Sequence, residues 1–210
     1  LVDLGVSKNI MITLSTNGTF YNDKLIDKIV GNFENLGFNI SLDGVEEKFD
    51  YLRHGDSWNN VKSNLDKFYK LHTENDHVNI NVTHTVSVWN FFYLRDFHLY
   101  FETNYPEFWI WNNLVHFPEW CEANVVPGSA KYDIADRVKH PEEFGLPEWD
   151  KEKYNKDIAP LVEHALTDST DEHWQKFIQQ VNAGDVYRNE SFEDTFNELY
   201  NVVKTNMVSI

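Results

Sequence analysis

The sequence predicts an α/β fold with a parallel sheet and helices packed outside it. Three observations carry that prediction. Short apolar runs alternate with helical patterns in the order β-α-β-α-β-α-β, and the connections between them are short. Two of the runs, Ile10-Met11-Ile12-Thr13-Leu14 and Gly37-Phe38-Asn39-Ile40, end in small polar clusters, Ser15-Thr16-Asn17-Gly18 and Ser41-Leu42-Asp43-Gly44. Parallel α/β folds bind ligands at strand tips of this kind.

Val2 to Ser7 reads as the end of a helix or its exit loop. Ile10 to Leu14 is the first strand, stopped by Asn17-Gly18. Asn22 or Asp23 caps a helix that carries Leu25, Ile26, Ile29, Val30 and Phe33 at helical spacing. Gly37 reads as a break before the strand Phe38 to Leu42, and Asp43-Gly44 turns the chain into a charged segment ending at Tyr51-Leu52-Arg53-His54-Gly55. Ser57 is the N-cap of a helix with Trp58, Val61, Leu65, Phe68, Tyr69 and His72 along one side. Val78 to Val88 alternates strictly between apolar and polar, which predicts a strand. Phe92 to Phe101 predicts a helix closed by Asn104-Tyr105-Pro106, and Phe108-Trp109-Ile110-Trp111 a last strand. Beyond Pro118 the prolines 127, 141, 147 and 160 punctuate helical pieces, and Glu148 to Asp157 reads as a solvent-facing stretch. Trp174-Phe177-Ile178-Val181 and Phe192-Phe196-Leu199-Tyr200-Val203 are amphipathic helices. The change of style places a boundary near Glu119, between residues 1–118 and a helical extension over 119–210.

Composition narrows the function. A chain of 210 residues, 41% hydrophobic, can bury one good core with an appended lobe. Its net charge of -16 repels phosphate backbones and anionic membrane surfaces, which disfavours nucleic-acid and lipid-surface roles. A single cysteine, Cys121, excludes an intrachain disulfide framework and suggests a reducing, cytoplasmic compartment. No run approaches the ~20 apolar residues of a membrane span, and no signal peptide is visible.

One stretch is more specific than the rest. Thr16-Asn17-Gly18, a helix, Asn39-Ile40-Ser41-Leu42-Asp43-Gly44, and then Val45 through Arg53-His54-Gly55 before Trp58-Asn59-Asn60-Val61 and Asn64-Leu65 resemble the radical SAM enzymes. The match is to the branch with Thr-Asn-Gly on its third strand and Ser-Leu-Asp-Gly on its fourth. Arg188, Ser191-Phe192 and Phe196 resemble the closing segment of phage-type members with a twitch accessory domain. The resemblance implies that the four strands are the third to sixth of a six-stranded partial, TIM-like (β/α) barrel. It implies S-adenosylmethionine and a 4Fe-4S cluster as cofactors of the complete protein. An electron donor such as flavodoxin or ferredoxin would serve it, and the substrate would be a peptide, a metabolite or a nucleotide. The three-cysteine cluster motif and the Gly-Gly-Glu motif of the family are both missing. Since Leu1 opens inside the family pattern without Met, the expectation is that they precede this chain, leaving the strand at Ile10 to Leu14 an aggregation-prone edge.

The same resemblance assigns the cofactor-binding residues Thr16, Asn17, Ser41, Asp43, Arg53, Ser87 and Asn90. Each has a plainer reading beside it. Ser41 bonds the SAM ribose or carboxylate, or satisfies the strand-to-turn backbone. Asp43 accepts from ribose hydroxyls or belongs to an ordinary Asp-Gly turn. Thr16 and Asn17 contact SAM or substrate, although Asn-Gly alone is a common turn. Arg53 clamps the methionine carboxylate, or forms a surface ion pair with Asp50 or Glu47. Ser87 and Asn90 reach the ribose or substrate, or cap the following helix. Trp109 and Trp111 flank adenine or fill the core.

The nine histidines are scattered. His72/His77 and His164/His173 are fairly close, but neither pair has metal-ligand spacing with a third ligand, so no metal is assigned to this chain. Cys121 reads as a buried apolar residue rather than a nucleophile. Glu46/Glu47 and Glu142/Glu143 read as solvated faces. Two other functions fit the same strand tips: a non-catalytic module that binds SAM or a partner without the cluster, and an α/β transferase in which Asn17 and Asp43 grip a nucleotide or sugar.

Overall fold

The computed structural model describes residues 1–144 and 151–207. The chain forms two compact units, Leu1–His84 with Tyr100–Trp111 and Thr85–Leu99 with Asn112–Ile210. The division runs through individual elements rather than at a single cut near Glu119.

The first unit is built on a four-stranded parallel sheet in the order β1-β2-β3-β4, with β1 at Met11–Thr16, β2 at Asn35–Ser41, β3 at Val78–Val86 and β4 at Trp109–Leu114. β1 pairs with β2 from Met11↔Asn35 to Thr16↔Ile40, and β2 with β3 from Leu36↔Val78 to Ser41↔Thr83. The inner strands bury Leu36, Phe38, Ile40, Val78, Ile80 and Val82, whereas β1 and β4, at the ends of the order, alternate between exposed and half-buried residues. Gly37 lies inside β2 rather than before it. A Cβ there would sit 3.3 Å from Thr13 Oγ1, so glycine admits the neighbouring strand instead of breaking its own.

Helix α1, Asp23–Val30, starts at Asn22, whose Oδ1 accepts from Leu25 N at 3.1 Å, as its sequence predicts. The charged segment after Asp43-Gly44 holds a helix that the sequence does not announce, α2 at Glu46–Leu52, because Val45 offers no capping side chain. Helix α3, Trp58–Glu74, is capped by Ser57 as expected, with Asn60 N 3.3 Å from Ser57 Oγ. It buries Trp58, Val61, Leu65 and Phe68, and the Phe68 ring packs 5.4 Å from that of Phe38. Full burial of side chains of this kind contributes about 1.5–3 kcal/mol each.

His84, in β3, is fully buried, and its Nδ1–H donates to the Leu42 carbonyl at 3.0 Å. Burial pushes its pKa below the ordinary 6.5, against a smaller upward pull from Asp43. Below pH 6.5 the unfolded chain therefore binds more protons than the folded one, and stability rises with pH. The contribution of neutral His84 is complete above pH 6.5 and is lost progressively as pH falls below it. Urea midpoints measured from about pH 7.5 down to about pH 5 should fall less steeply for His84→Asn, which keeps an N–H donor but cannot titrate there. Equal slopes in both proteins would contradict this.

Helix α4, Leu94–Asn104, follows a short 3-10 turn at Phe91–Tyr93. In the second unit α5 is Ala130–Lys139, α6 Lys151–Ala165, α7 Asp171–Arg188, α8 Phe192–Thr195 and α9 Asn197–Met207. Pro160 sits within α6 instead of ending a helix. The amphipathic pattern from Phe192 to Val203 divides where the chain turns at Phe196 (φ -115°, ψ 41°). The core here is aromatic: Phe177 packs against Trp89 at 4.9 Å, Trp174 at 5.2 Å and Phe192 at 5.9 Å, and Phe192 against Phe196 at 5.1 Å. Of the expected solvent-facing stretch, Glu148, Trp149 and Asp150 lie outside the described residues, and Lys156 is exposed. No helix among the described residues is long and apolar enough to cross a membrane.

Candidate functional site

The β1 tip is a turn held by its own side chains. Gly18 N donates to Thr16 Oγ1 at 3.2 Å, and Asn17 Oδ1 accepts from Thr19 N at 3.2 Å and Thr19 Oγ1 at 2.8 Å. This is an Asx turn. Gly18 has φ +77°, and a Cβ there would lie 3.1 Å from Ile40 Cγ2, so only glycine brings the turn onto β2. Two α3 amides hold it: Asn64 Nδ2 donates to the Gly18 carbonyl and Asn60 Nδ2 to that of Thr19, both at 2.9 Å.

Ser41 ends β2, half-buried, one residue beyond the partner of Thr16. The chain then passes through Asp43 and Gly44 into α2, and Arg53 caps the far end of that helix. Its Nη2 donates to Asp43 Oδ2 at 2.5 Å. The structure thus joins two residues that the sequence assigns separate roles. The alternative ion pair of Arg53 with Asp50 or Glu47 is not formed. Asp50 instead accepts from Trp58 N at 2.6 Å, and Glu47 pairs with Lys48. Both are in the same charged run as Arg53, but Asp43 lies where the helix end returns to the strand tip. Arg53 Nε is shut off from solvent and makes no hydrogen bond among the described residues. A cavity of about 280 Å³ opens there, lined by Asn17, Thr19, Phe49, Arg53, His54 and Asp56. Asn17 and Arg53 are therefore brought to one cavity, with Thr16, Ser41 and Asp43 on its supporting tips.

Ser87 and Asn90 belong to the second unit. Asn90 is buried, its Oδ1 accepting from Ser87 N at 2.7 Å and its Nδ2 donating to the Thr85 carbonyl at 2.9 Å. These bonds tie down the turn after β3, and the 3-10 turn that follows has no side-chain cap from Asn90. Trp109 and Trp111 are about half exposed, which overturns the core reading. On the edge strand β4, period-two alternation puts both on one face with their rings 6.1 Å apart. Cys121 is buried, and burial pushes its thiol up to about 11, so it is inert as a nucleophile. Glu46, Glu47, Glu142 and Glu143 are exposed, as their sequence pattern suggests.

The second unit contains a polar cluster that residue spacing conceals. His164 Nε2 lies 3.0 Å from Glu122 Oε2, and His173 Nε2 lies 3.1 Å from Glu119 Oε2. His116 joins the first pair, so that ligand atoms of His116, Glu122 and His164 all lie within 4.8 Å of one another. Neither sequence pair, His72/His77 nor His164/His173, forms the set. His72 Nδ1 meets the Val78 carbonyl at 2.6 Å, and His77 Nε2 the Val30 carbonyl at 3.2 Å.

No protein-family model matches this chain, and no curated protein matches it.

Proposed function

We propose that this chain is the C-terminal part of a radical SAM enzyme, in which the β1 and β2 tips form one side of the S-adenosylmethionine site. The observation that carries the reading is the convergence at the 280 Å³ cavity: an arginine whose buried Nε has no hydrogen bond among the described residues, paired to the aspartate of the adjoining strand tip, beside Asn17. A guanidinium with donors to spare suits a methionine carboxylate. Strand order supports the partial-barrel reading as well. The four strands are sequential neighbours, whereas a doubly wound dinucleotide-binding sheet reverses its order after three.

In this reading Arg53 holds the carboxylate, Asp43 both orients Arg53 and faces the ribose, Ser41 offers a hydroxyl at the strand tip, and Thr16 and Asn17 shape the floor. S-adenosylmethionine, reduced at a 4Fe-4S cluster, supplies a 5′-deoxyadenosyl radical in enzymes of this type. The residues of this chain do not fit the cluster, since its single cysteine, Cys121, is buried and its thiol pushed up to about 11; in this reading the cluster thiolates are not supplied by these residues. Substrate (a peptide, metabolite or nucleotide) and a flavodoxin- or ferredoxin-type donor meet the complete protein in the cytoplasm.

Titrating S-adenosylmethionine into the isotope-labelled chain tests the site. Saturable shifts at the amides of residues 16–19, 41–44 and 53–56, weakened by Ser41→Ala, are expected. The absence of any saturable shift at millimolar ligand would overturn the reading. Equal shifts with a nucleoside diphosphate sugar would favour the transferase instead.

A further inference from the structure

We propose that His116, Glu122 and His164 form a binding site for one zinc-class divalent ion, independent of the strand-tip cavity. The three donors come from separate pieces of chain that the second unit gathers: the segment after β4, the end of the 3-10 turn Glu119–Cys121, and the last turn of α6. Two imidazoles and a carboxylate are a donor set that zinc uses with a fourth position left to water.

The geometry suits an ion better than a simple ion pair. His164 Nε2 is excluded from solvent and, among the described residues, has no hydrogen bond of good geometry, although Glu122 Oε2 stands 3.0 Å away. A buried ring nitrogen held without a hydrogen bond is costly unless something else uses its lone pair. Zinc–ligand bonds of about 2.0–2.2 Å in a tetrahedron separate the ligand atoms by roughly 3.3–3.6 Å. The His164–Glu122 pair needs to open slightly, and the outer separations, up to 4.8 Å, need to close. His116 is exposed and can swing to do so, its ring already lying edge-on to that of His164 with centroids 5.7 Å apart.

The other two ligands are held more firmly. Glu122 N donates to the Glu119 carbonyl at 3.1 Å, and Val88 N to the Cys121 carbonyl at 2.9 Å, which fixes the turn. At the end of α6, Thr167 Oγ1 donates to the His164 carbonyl at 2.7 Å and accepts from Asn124 Nδ2 at 3.0 Å, while Lys131 Nζ donates to the Thr167 carbonyl at 2.6 Å. An ion here would clip α6 to the segment after β4.

The test is a zinc titration of the tag-free, metal-stripped chain against a chromophoric chelator, with cobalt absorption as a reporter of coordination. One ion per chain is expected, with a raised melting temperature. His116→Ala, an exposed change that leaves the fold intact, and Glu122→Gln should each weaken binding about tenfold or more. His173→Ala, in the neighbouring His–Glu pair, should leave affinity unchanged. Failure to bind one ion per chain, or affinity insensitive to His116→Ala and Glu122→Gln, would overturn the assignment. Loss with His173→Ala as large as with His116→Ala would also overturn it.

Discussion

Phe177→Ala should lower the unfolding free energy of the second unit by about 3–5 kcal/mol. Phe177 is 1% exposed and touches three rings, those of Trp89, Trp174 and Phe192. From Phe192 the ring contacts continue through Phe196 to Tyr93, whose hydroxyl accepts from Leu199 N at 3.2 Å. Removing the middle ring leaves a cavity bounded by large, rigid neighbours that cannot collapse into it, so both the transfer and the cavity contributions are lost. Against a typical domain stability of about 5–15 kcal/mol, this is enough to depopulate the folded unit under mild conditions. Phe177→Leu fills part of the space and should cost less than half as much. Guanidinium unfolding followed by tryptophan fluorescence measures it, because Trp89 and Trp174 report on the site. A loss below about 1 kcal/mol for the alanine variant would show that the rings are not a tightly packed core.

Arg53→Ala should weaken S-adenosylmethionine binding roughly 10- to 100-fold, the range for one charge-assisted hydrogen bond of about 1.5–3 kcal/mol. The melting temperature should move little, since the Arg53–Asp43 pair is partly exposed, at 37% and 22%, and pairs of that kind contribute weakly to stability. Arg53→Lys keeps the charge but not the planar fork and should recover only part of the affinity. Asp43 adds a control. If it acts mainly by orienting Arg53, Asp43→Ala and Arg53→Ala should not add in the double variant. Calorimetric titration of the four proteins reads this directly. Full additivity would separate the two roles, and unchanged affinity in Arg53→Ala would remove Arg53 from the site.

Much of the fold is legible in the sequence because its signals are local. Asn22 and Ser57 cap the helices that follow them, and the strict alternation from Val78 marks β3 because one face of that strand is buried. What is not legible depends on neighbours distant in sequence. Gly37 resembles a break until Thr13 of the adjoining strand is seen beside it. Trp109 and Trp111 have the composition of a core strand, yet their place at the sheet edge leaves them exposed. The strand tips themselves are evident from Thr16-Asn17-Gly18 and Ser41-Leu42-Asp43-Gly44. The partner of Arg53 is not, because five carboxylates lie within ten residues of it and only the return of α2 to the strand tip selects Asp43. Asn60 and Asn64, four residues apart on α3, show an i, i+4 amide pair, but their targets are carbonyls more than forty positions earlier. His116, Glu122 and His164 carry no spacing signal at all, since α5 and the segments around it intervene.

The central claim is that these strand tips serve reductive cleavage of S-adenosylmethionine. Its most direct test is 5′-deoxyadenosine formation by the protein encoded by the whole reading frame containing this chain, reconstituted anaerobically with iron and sulfide under a strong reductant. The account predicts three clustered cysteines encoded upstream of Leu1, and 5′-deoxyadenosine released from S-adenosylmethionine and sharply reduced by Arg53→Ala. A start codon close before Leu1, or no 5′-deoxyadenosine from a protein with its cluster intact, would contradict it.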